Sequence, residues 1–192
     1  MNEPTFCDKI DNQLIYTKYK PISLNIYNCH NIDMTVLGHV HALKLSYCYS
    51  IRDVSSLAHV HILVLNGCGG IHDVSSLGHV HTLNLSSCGG ISDVSSLGNV
   101  HTLKLYDCPW VTDVSSLGNV HTLNLSHCSG IHDVSMLGNC KNLIMKSIYT
   151  FWRFRTPFEM LKGVIKLFLK FRIKVYIIIW NSIIHWYNVI FP

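Results

Sequence analysis

Apolar residues along the chain recur in a fixed order that repeats every twenty positions. In residues 80–99, "VHTLNLSSCGGISDVSSLGN", Leu83 and Leu85 alternate with polar residues, and the same order returns almost unchanged in residues 60–79 and 100–119. Alternation with a period of two predicts a β-strand that presents its leucines on one face. A fixed period of this length predicts a solenoid, because one such unit buries its apolar face only when another unit stacks on it.

Each unit also predicts which side chains enter the core and where the chain turns. The apolar positions are expected to face inward, and in one unit they are Val80, Leu83, Leu85, Ile91, Val94 and Leu97. Successive strands would lie side by side in a parallel sheet, at a spacing of about 4.8 Å. Gly89 and Gly90 predict a sharp turn with unusual dihedral angles. Asp93 predicts a cap on one short helical turn, through the backbone amide of Ser95 or Ser96.

The repeated frame V-x-x-L-x-L-x-x-C-x-x-I resembles the cysteine-containing form of the leucine-rich repeat, as does "CGGIHD" in residues 68–73. The segment "DVSSLGNVHTL" is similar to the short repeats of the internalin type. The near-verbatim copies also resemble repeat arrays of large DNA viruses of protists. The resemblance covers residues 21–145, in six to seven repeats. It implies an α/β solenoid: a leucine-rich repeat horseshoe with a parallel concave β-sheet and short helical or 3-10 turns on the convex side.

The two ends differ from the repeats. Residues 1–20 are polar and predict an N-terminal cap segment. They hold no apolar stretch typical of a secretory signal, which favours an intracellular, cytoplasmic location. In such a location the cysteines are expected to remain thiols. Charge is segregated, with 6 Lys/Arg against 10 Asp/Glu in residues 1–140 and 9 against 1 in residues 141–192. This asymmetry predicts a separate role for a basic, hydrophobic C-terminal tail at 146–192.

The C-terminal tail has two features of a membrane-associated segment. Lysines at four-residue intervals, from Lys162 to Lys174, would share one face of a helix. Residues 175–191 then form 17 uncharged, mostly apolar positions, the lower limit for a membrane span. Three interpretations stay open: a membrane anchor or surface-bound helix, a folded cap on the last repeat, and a tail without a specified structure.

Stacking of the repeats aligns three kinds of chemically active side chain into rows. They are Cys29, Cys48, Cys68, Cys88, Cys108 and Cys128; His41, His61, His81, His101 and His121; and Asp33, Asp53, Asp73, Asp93, Asp113 and Asp133. We interpret the cysteines as buried core residues, the histidines as a neutral row at the strand edge, and the aspartates as caps. A straight row offers no converging ligands, so no metal or other cofactor is predicted. No catalytic signature is present, and the sequence predicts a protein that is not an enzyme.

Positions that differ between the repeats are expected to determine binding. Aromatic and charged residues at such positions are favoured as interface anchors, and those selected as partner contacts are Lys44, Tyr47, Lys104, Tyr106 and Trp110. The sequence thus predicts a non-enzymatic scaffold that binds an unidentified protein through the concave face of the repeats. The alternative is a membrane-tethered structural protein, with residues 160–191 contacting the membrane. Nucleic-acid binding is disfavoured, because basic residues of the tail alternate with aliphatic ones and the repeats are acidic.

Overall fold

The computed structural model describes residues 23–30 and 32–145. Their strands form one seven-stranded parallel sheet in chain order. The strands are β1 (Ser23–Tyr27), β2 (Ala42–Ser46), β3 (Ile62–Asn66), β4 (Thr82–Asn84), β5 (Thr102–Lys104), β6 (Thr122–Asn124) and β7 (Asn142–Ile144). The predicted leucine-rich repeat type of solenoid is therefore confirmed. The predicted cap segment 1–20 and tail 146–192 lie outside the described residues.

Pairing between strands aligns equivalent residues of successive repeats, each of which forms one coil. Leu63 of β3 pairs with Leu43 of β2 on one side and with Leu83 of β4 on the other. Leu65 is likewise aligned with Leu45, and all these leucines are buried. Because the register follows the repeat, the paired leucines of β2 to β7 meet leucines, and Leu45 also meets Ile26 of β1. The inward faces form one continuous apolar core.

The opposite wall of each coil is a short helical segment, as the sequence predicts. The first is a four-residue α-helix, α1 (Met34–Leu37). The later ones are 3-10 helices at Ser55–Leu57, Ser75–His79, Ser95–Asn99, Ser115–Asn119 and Leu137–Asn139. Each contains one buried leucine, such as Leu97, that packs into the core from the side opposite the sheet.

The unusual dihedral angles lie at a different position from the predicted one. Gly89 and Gly90 do not have positive φ angles; the residue immediately before each repeated cysteine does, for example Ser87 with φ 58°. This residue turns the chain out of the strand, and its N–H donates to the next coil, as Ser87 does to the Tyr106 carbonyl at 2.7 Å. The prediction of unusual dihedrals at Gly89 and Gly90 is therefore wrong.

Gly90 instead lies close to the preceding coil. A Cβ atom at this position would lie 2.5 Å from the carbonyl oxygen of Ile71 and 2.8 Å from the ring of His72. A Cβ at Gly89 would meet nothing within 4 Å. Of this pair, only the second glycine lies in close contact with the preceding coil, and the equivalent position holds Ser50 or Trp110 in other coils.

Within residues 23–30 and 32–145, no helix is long and apolar enough to cross a membrane. The apolar segment 175–191, for which a membrane span is one of the predictions, lies outside this range.

Candidate functional site

The cysteine row is part of the core and links adjacent coils. The Cys88 thiol donates a hydrogen bond to the Leu65 carbonyl at 2.8 Å, and the Cys128 thiol donates to the Leu105 carbonyl at 2.7 Å. Burial raises the pKa of Cys88 to about 12, so this thiol stays protonated at neutral pH. A protonated, buried thiol is a poor nucleophile and a poor metal ligand, and the row therefore acts as a structural element.

Disulfide bonding separates the first cysteine of the row from the others. Among the described residues, the free thiols are Cys48, Cys68, Cys88, Cys108, Cys128 and Cys140. Cys29 is disulfide-bonded, so the prediction that the cysteines remain thiols is wrong at this position. The other cysteines of the row, from Cys48 to Cys128, are buried and form no disulfide. Cys29 follows β1, the first strand of the sheet, and has a neighbouring strand of the described sheet on one side only.

The histidine row is a continuous stack of imidazole rings. From His41 to His121, neighbouring ring centroids lie 4.5–4.9 Å apart and the rings are inclined by 16–21°. Desolvation lowers the pKa of His101, and repulsion from His121 and His81 adds to the effect. These causes all favour the neutral form of the His101 ring. Nowhere in the described part of the chain do three side chains of His, Cys, Asp or Glu come together as metal ligands.

The aspartate row caps the short helical segments, as predicted. The Ser95 backbone N–H donates to Oδ1 of Asp93 at 2.8 Å. The four other 3-10 segments are preceded by the same 2.8 Å bond, at Asp53, Asp73, Asp113 and Asp133. This backbone hydrogen bond is the main reason that the pKa of Asp93 lies below its usual value. The three rows thus stabilise the scaffold, and the outward face of the sheet is the remaining candidate surface.

The predicted contact residues lie in different parts of this outward face. Lys44 is an exposed residue of β2, and Tyr47 directly follows that strand. Lys104 ends β5, and Tyr106 lies two residues later with its ring centroid 4.9 Å from that of His127. Three strand spacings separate the two groups, roughly 14 Å.

Trp110 is placed differently from the other predicted contacts. It is 67% exposed and lies in the turn after Cys108, not on a strand. It occupies the position that Gly90 holds one coil earlier. Its indole is therefore exposed in a turn and does not lie on the outward face of a strand.

Lys44 and Tyr47 line one open depression of about 520 Å³ on the outward face of β1–β4. Two rows of the register form it. Asn25, Lys44, Val64 and Asn84 are aligned in one row, and Tyr27, Ser46 and Asn66 in the next, with Tyr47 beside Ser46. We call these eight residues the tyrosine depression. Its depth comes from the short side chains of Ser46 and Val64, which stand between the longer Tyr27, Tyr47 and Lys44.

Three tyrosines meet at one edge of the tyrosine depression. The ring centroids of Tyr27 and Tyr47 are 5.3 Å apart and tilted by 60°, and those of Tyr47 and Tyr49 are 6.4 Å apart. Gly67 makes room for this group, because a Cβ there would lie 2.8 Å from the Tyr47 ring. Gly67 also has a φ of +68°, which favours glycine. The aromatic edge is therefore built by residues of successive coils.

Reasoning from the sequence did not select Tyr27, Ser46, Tyr49 or Gly67. Tyr27 was available as a signal, because its outward position on the first strand follows from the alternation of polar and apolar residues. Ser46 carries no distinguishing mark in the sequence, and Gly67 is marked only as a residue that favours positive φ. Their importance depends on the register that sets Ser46 beside Tyr27 and Gly67 against the Tyr47 ring.

No protein-family model and no curated protein matches this sequence. Among solved structures, the chain is similar to an internalin (inlF) from Listeria monocytogenes, with 20% identity and a TM-score of 0.39 over 62% of this chain. It is also similar to an internalin C2 from the same organism, with 18% identity and a TM-score of 0.38 over 69% of this chain and 74% of the other. The first match spans about half of the internalin (inlF) chain, 47%. The fold itself is established by the register of the seven strands.

Proposed function

We propose that the chain is a non-enzymatic scaffold that binds a protein partner through the outward face of its sheet. The observation that supports this is the contrast between the two faces. The inward positions aligned with Leu43 hold leucine in all seven strands, whereas the outward positions aligned with Lys44 hold asparagine, lysine, valine or isoleucine. A constant core with a varied surface provides recognition without loss of stability. Lys44, Tyr47, Lys104, Tyr106 and Trp110 are the proposed contacts.

The test compares capture of proteins by face variants and by a turn variant of the full chain. Lysates of the source cells would be passed over immobilised wild-type chain, over the double variant Lys104→Glu/Tyr106→Ala, and over Thr112→Glu. Thr112 is exposed in the turn after Val111 and lies off the strands. We expect a protein retained by the wild type and by Thr112→Glu to be lost with the double variant. Equal capture by all three chains would refute partner binding through the part of the sheet face that holds Lys104 and Tyr106.

A membrane-tethered structural protein is the second proposal, based on the 17 uncharged residues at 175–191 after a lysine-rich segment. Its test is cofractionation of the full chain with membranes. Loss of cofractionation on deletion of residues 160–192 would support it, and membrane association that survives the deletion would contradict it. The intracellular location and the likeness to viral repeat arrays stay predictions.

A further inference from the structure

We propose that the tyrosine depression binds a carboxylate side chain of an acidic peptide segment in the partner, with Lys44 as its charge partner. This inference rests on the proposed function, because it names the chemistry recognised by one part of the same face.

Charge gives the first argument. Lys44 is the one charged side chain among the eight residues that line the depression, and no Asp or Glu is among them. It is exposed and lies in register between Asn25 and Val64, neither of which can form an ion pair with it. Residues 1–140 as a whole carry an excess of acidic residues, 10 against 6 basic ones. Most of these acidic residues belong to the aspartate row at the short helical segments, so an acidic ligand is attracted to the sheet face, at Lys44 and at Lys104 of the same row three strands away.

Hydrogen-bond donors give the second argument. Oδ1 of Asn84 accepts from the Ser86 backbone N–H at 2.9 Å and from the Ser86 hydroxyl. The acceptor end of the Asn84 amide is therefore occupied, and its NH₂ group is the end that remains for a ligand. The Asn84 amide and the Lys44 ammonium thus offer donors on the same row of the sheet.

An unsatisfied hydroxyl gives the third argument. Ser46 lines the depression and is only 4% exposed, and its Oγ has no hydrogen-bond partner among the described residues. A buried hydroxyl without a partner costs roughly 1–3 kcal/mol, and a ligand oxygen would remove that cost. Tyr27, aligned with Ser46 and 69% exposed, is expected to change rotamer as the hydroxyl gains its partner.

The dimensions favour a peptide over a small anion. The depression spans four strands, roughly 14 Å, which exceeds the size of a single carboxylate or phosphate ion. The rings of Tyr27 and Tyr47 and the side chain of Val64 lie beside Lys44 and offer apolar contact area. A peptide segment carries a carboxylate and an apolar neighbour together, and so it fits both parts of the depression.

The experiment measures binding of a labelled peptide to the full chain by fluorescence anisotropy. The probe is the heptapeptide Gly-Asp-Glu-Phe-Asp-Glu-Gly, and its amide analogue Gly-Asn-Gln-Phe-Asn-Gln-Gly is the ligand control. We expect saturable binding of the acidic peptide, at least tenfold weaker binding of the analogue, and weakening as the salt concentration rises. Inorganic phosphate at the peptide concentration is expected not to compete.

Matched protein variants separate recognition at Lys44 from general attraction. Lys44→Gln should weaken binding at least tenfold, and Ser46→Ala should weaken it two- to fivefold. Arg52→Gln is the control, because Arg52 is an exposed cation of the same coil that lies after Ile51 in the turn. It should bind like the wild type. Equal weakening by Lys44→Gln and Arg52→Gln, equal binding of both peptides, or displacement by equimolar phosphate would each overturn the proposal.

The two proposals can fail independently. If the acidic peptide does not bind while Lys104→Glu/Tyr106→Ala still abolishes partner capture, the carboxylate site is wrong and the interaction scaffold stands. If the peptide binds through Lys44 while capture is unaffected by the face variants, the carboxylate site stands and the wider face is wrong.

Discussion

The thiol of Cys88 lies 2.8 Å from the carbonyl oxygen of Leu65, one coil earlier in the chain. That carbonyl also accepts the backbone N–H of Cys68 in its own coil, at 3.5 Å. This one carbonyl oxygen therefore accepts two hydrogen bonds, one that stabilises the turn of its own coil and one that links it to the next coil. The same arrangement links Leu85 to Cys88 and Cys108.

Replacement of the thiol should lower stability. Cys88→Ala removes the hydrogen bond to Leu65 and leaves a small cavity at a position with 0% exposure. We expect the free energy of unfolding to fall by about 1–3 kcal/mol, measured by urea denaturation. Ser92→Ala, an exposed change in the same coil, should leave the midpoint unchanged. Equal midpoints for the two variants would show that the thiol contributes nothing.

The two glycines after Cys88 should respond differently to a methyl group. Gly90→Ala would place its Cβ against the Ile71 carbonyl oxygen, and we expect a loss of about 1–3 kcal/mol from overpacking. Gly89→Ala meets open space and should leave the free energy of unfolding unchanged or slightly raised. Parallel urea titrations of both variants provide the measurement, and the reverse order of stability would contradict the described contact.

The histidine stack should make stability depend on pH near neutrality. The pKa of His101 is lowered in the folded chain, chiefly by desolvation and further by His121 and His81. The unfolded chain therefore binds more protons than the folded one as the pH falls through about 6.5. The full contribution is present above this value and is lost progressively below it.

Urea midpoints between pH 8 and pH 5 test this dependence. The wild type should lose stability over this range, and His101→Gln, which interrupts the stack, should lose less. His59→Gln lies outside the stack and should follow the wild-type curve. A wild-type curve that is flat from pH 8 to pH 5 would refute the idea.

The stabilisation by the aspartate caps should be lost at a lower pH than that of the histidine stack. The backbone hydrogen bond from Ser95 lowers the pKa of Asp93, so its stabilisation is present above about pH 4 and is lost as the pH falls through the folded-state pKa. Asp93→Ala removes the acceptor and should lower Tm by a few degrees at pH 7. Asp93→Asn keeps an acceptor but does not titrate, so its Tm should fall less steeply in acid. Thermal melts at pH 7 and pH 3 separate these outcomes.

The sequence predicts the scaffold well because each coil contacts only its neighbours and every coil has nearly the same surroundings. Alternation places Leu83 and Leu85 inward, the period places each beside its counterpart, and Asp93 precedes a segment whose amide it caps. Each of these features depends on residues close in sequence or on the repeat length. Glycine alone does not predict the left-handed residue before each cysteine, because Gly67 is the one glycine at these positions in the described repeats. Asn28, Asp107 and His127 also belong to types that tolerate positive φ, and comparison of the repeats at that position would have indicated it.

The candidate site was predictable only in part. Lys44 and Tyr47 stand out because their copies in other repeats differ. The orientation of the Asn84 amide and the unpartnered hydroxyl of Ser46 depend on side-chain geometry across coils. No pattern along the chain encodes that geometry, because it arises from the register and the rotamers of neighbouring strands.

Because successive strands pair in the same register, equivalent residues of neighbouring coils are separated by a constant distance. Excision or duplication of one whole unit, such as residues 80–99, would preserve every leucine pairing on either side. It would move Lys104 and Tyr106 closer to or farther from Lys44 by one increment of about 4.8 Å. The distance between the two groups of proposed contacts therefore changes in fixed steps when whole units are gained or lost, and the fold stays the same.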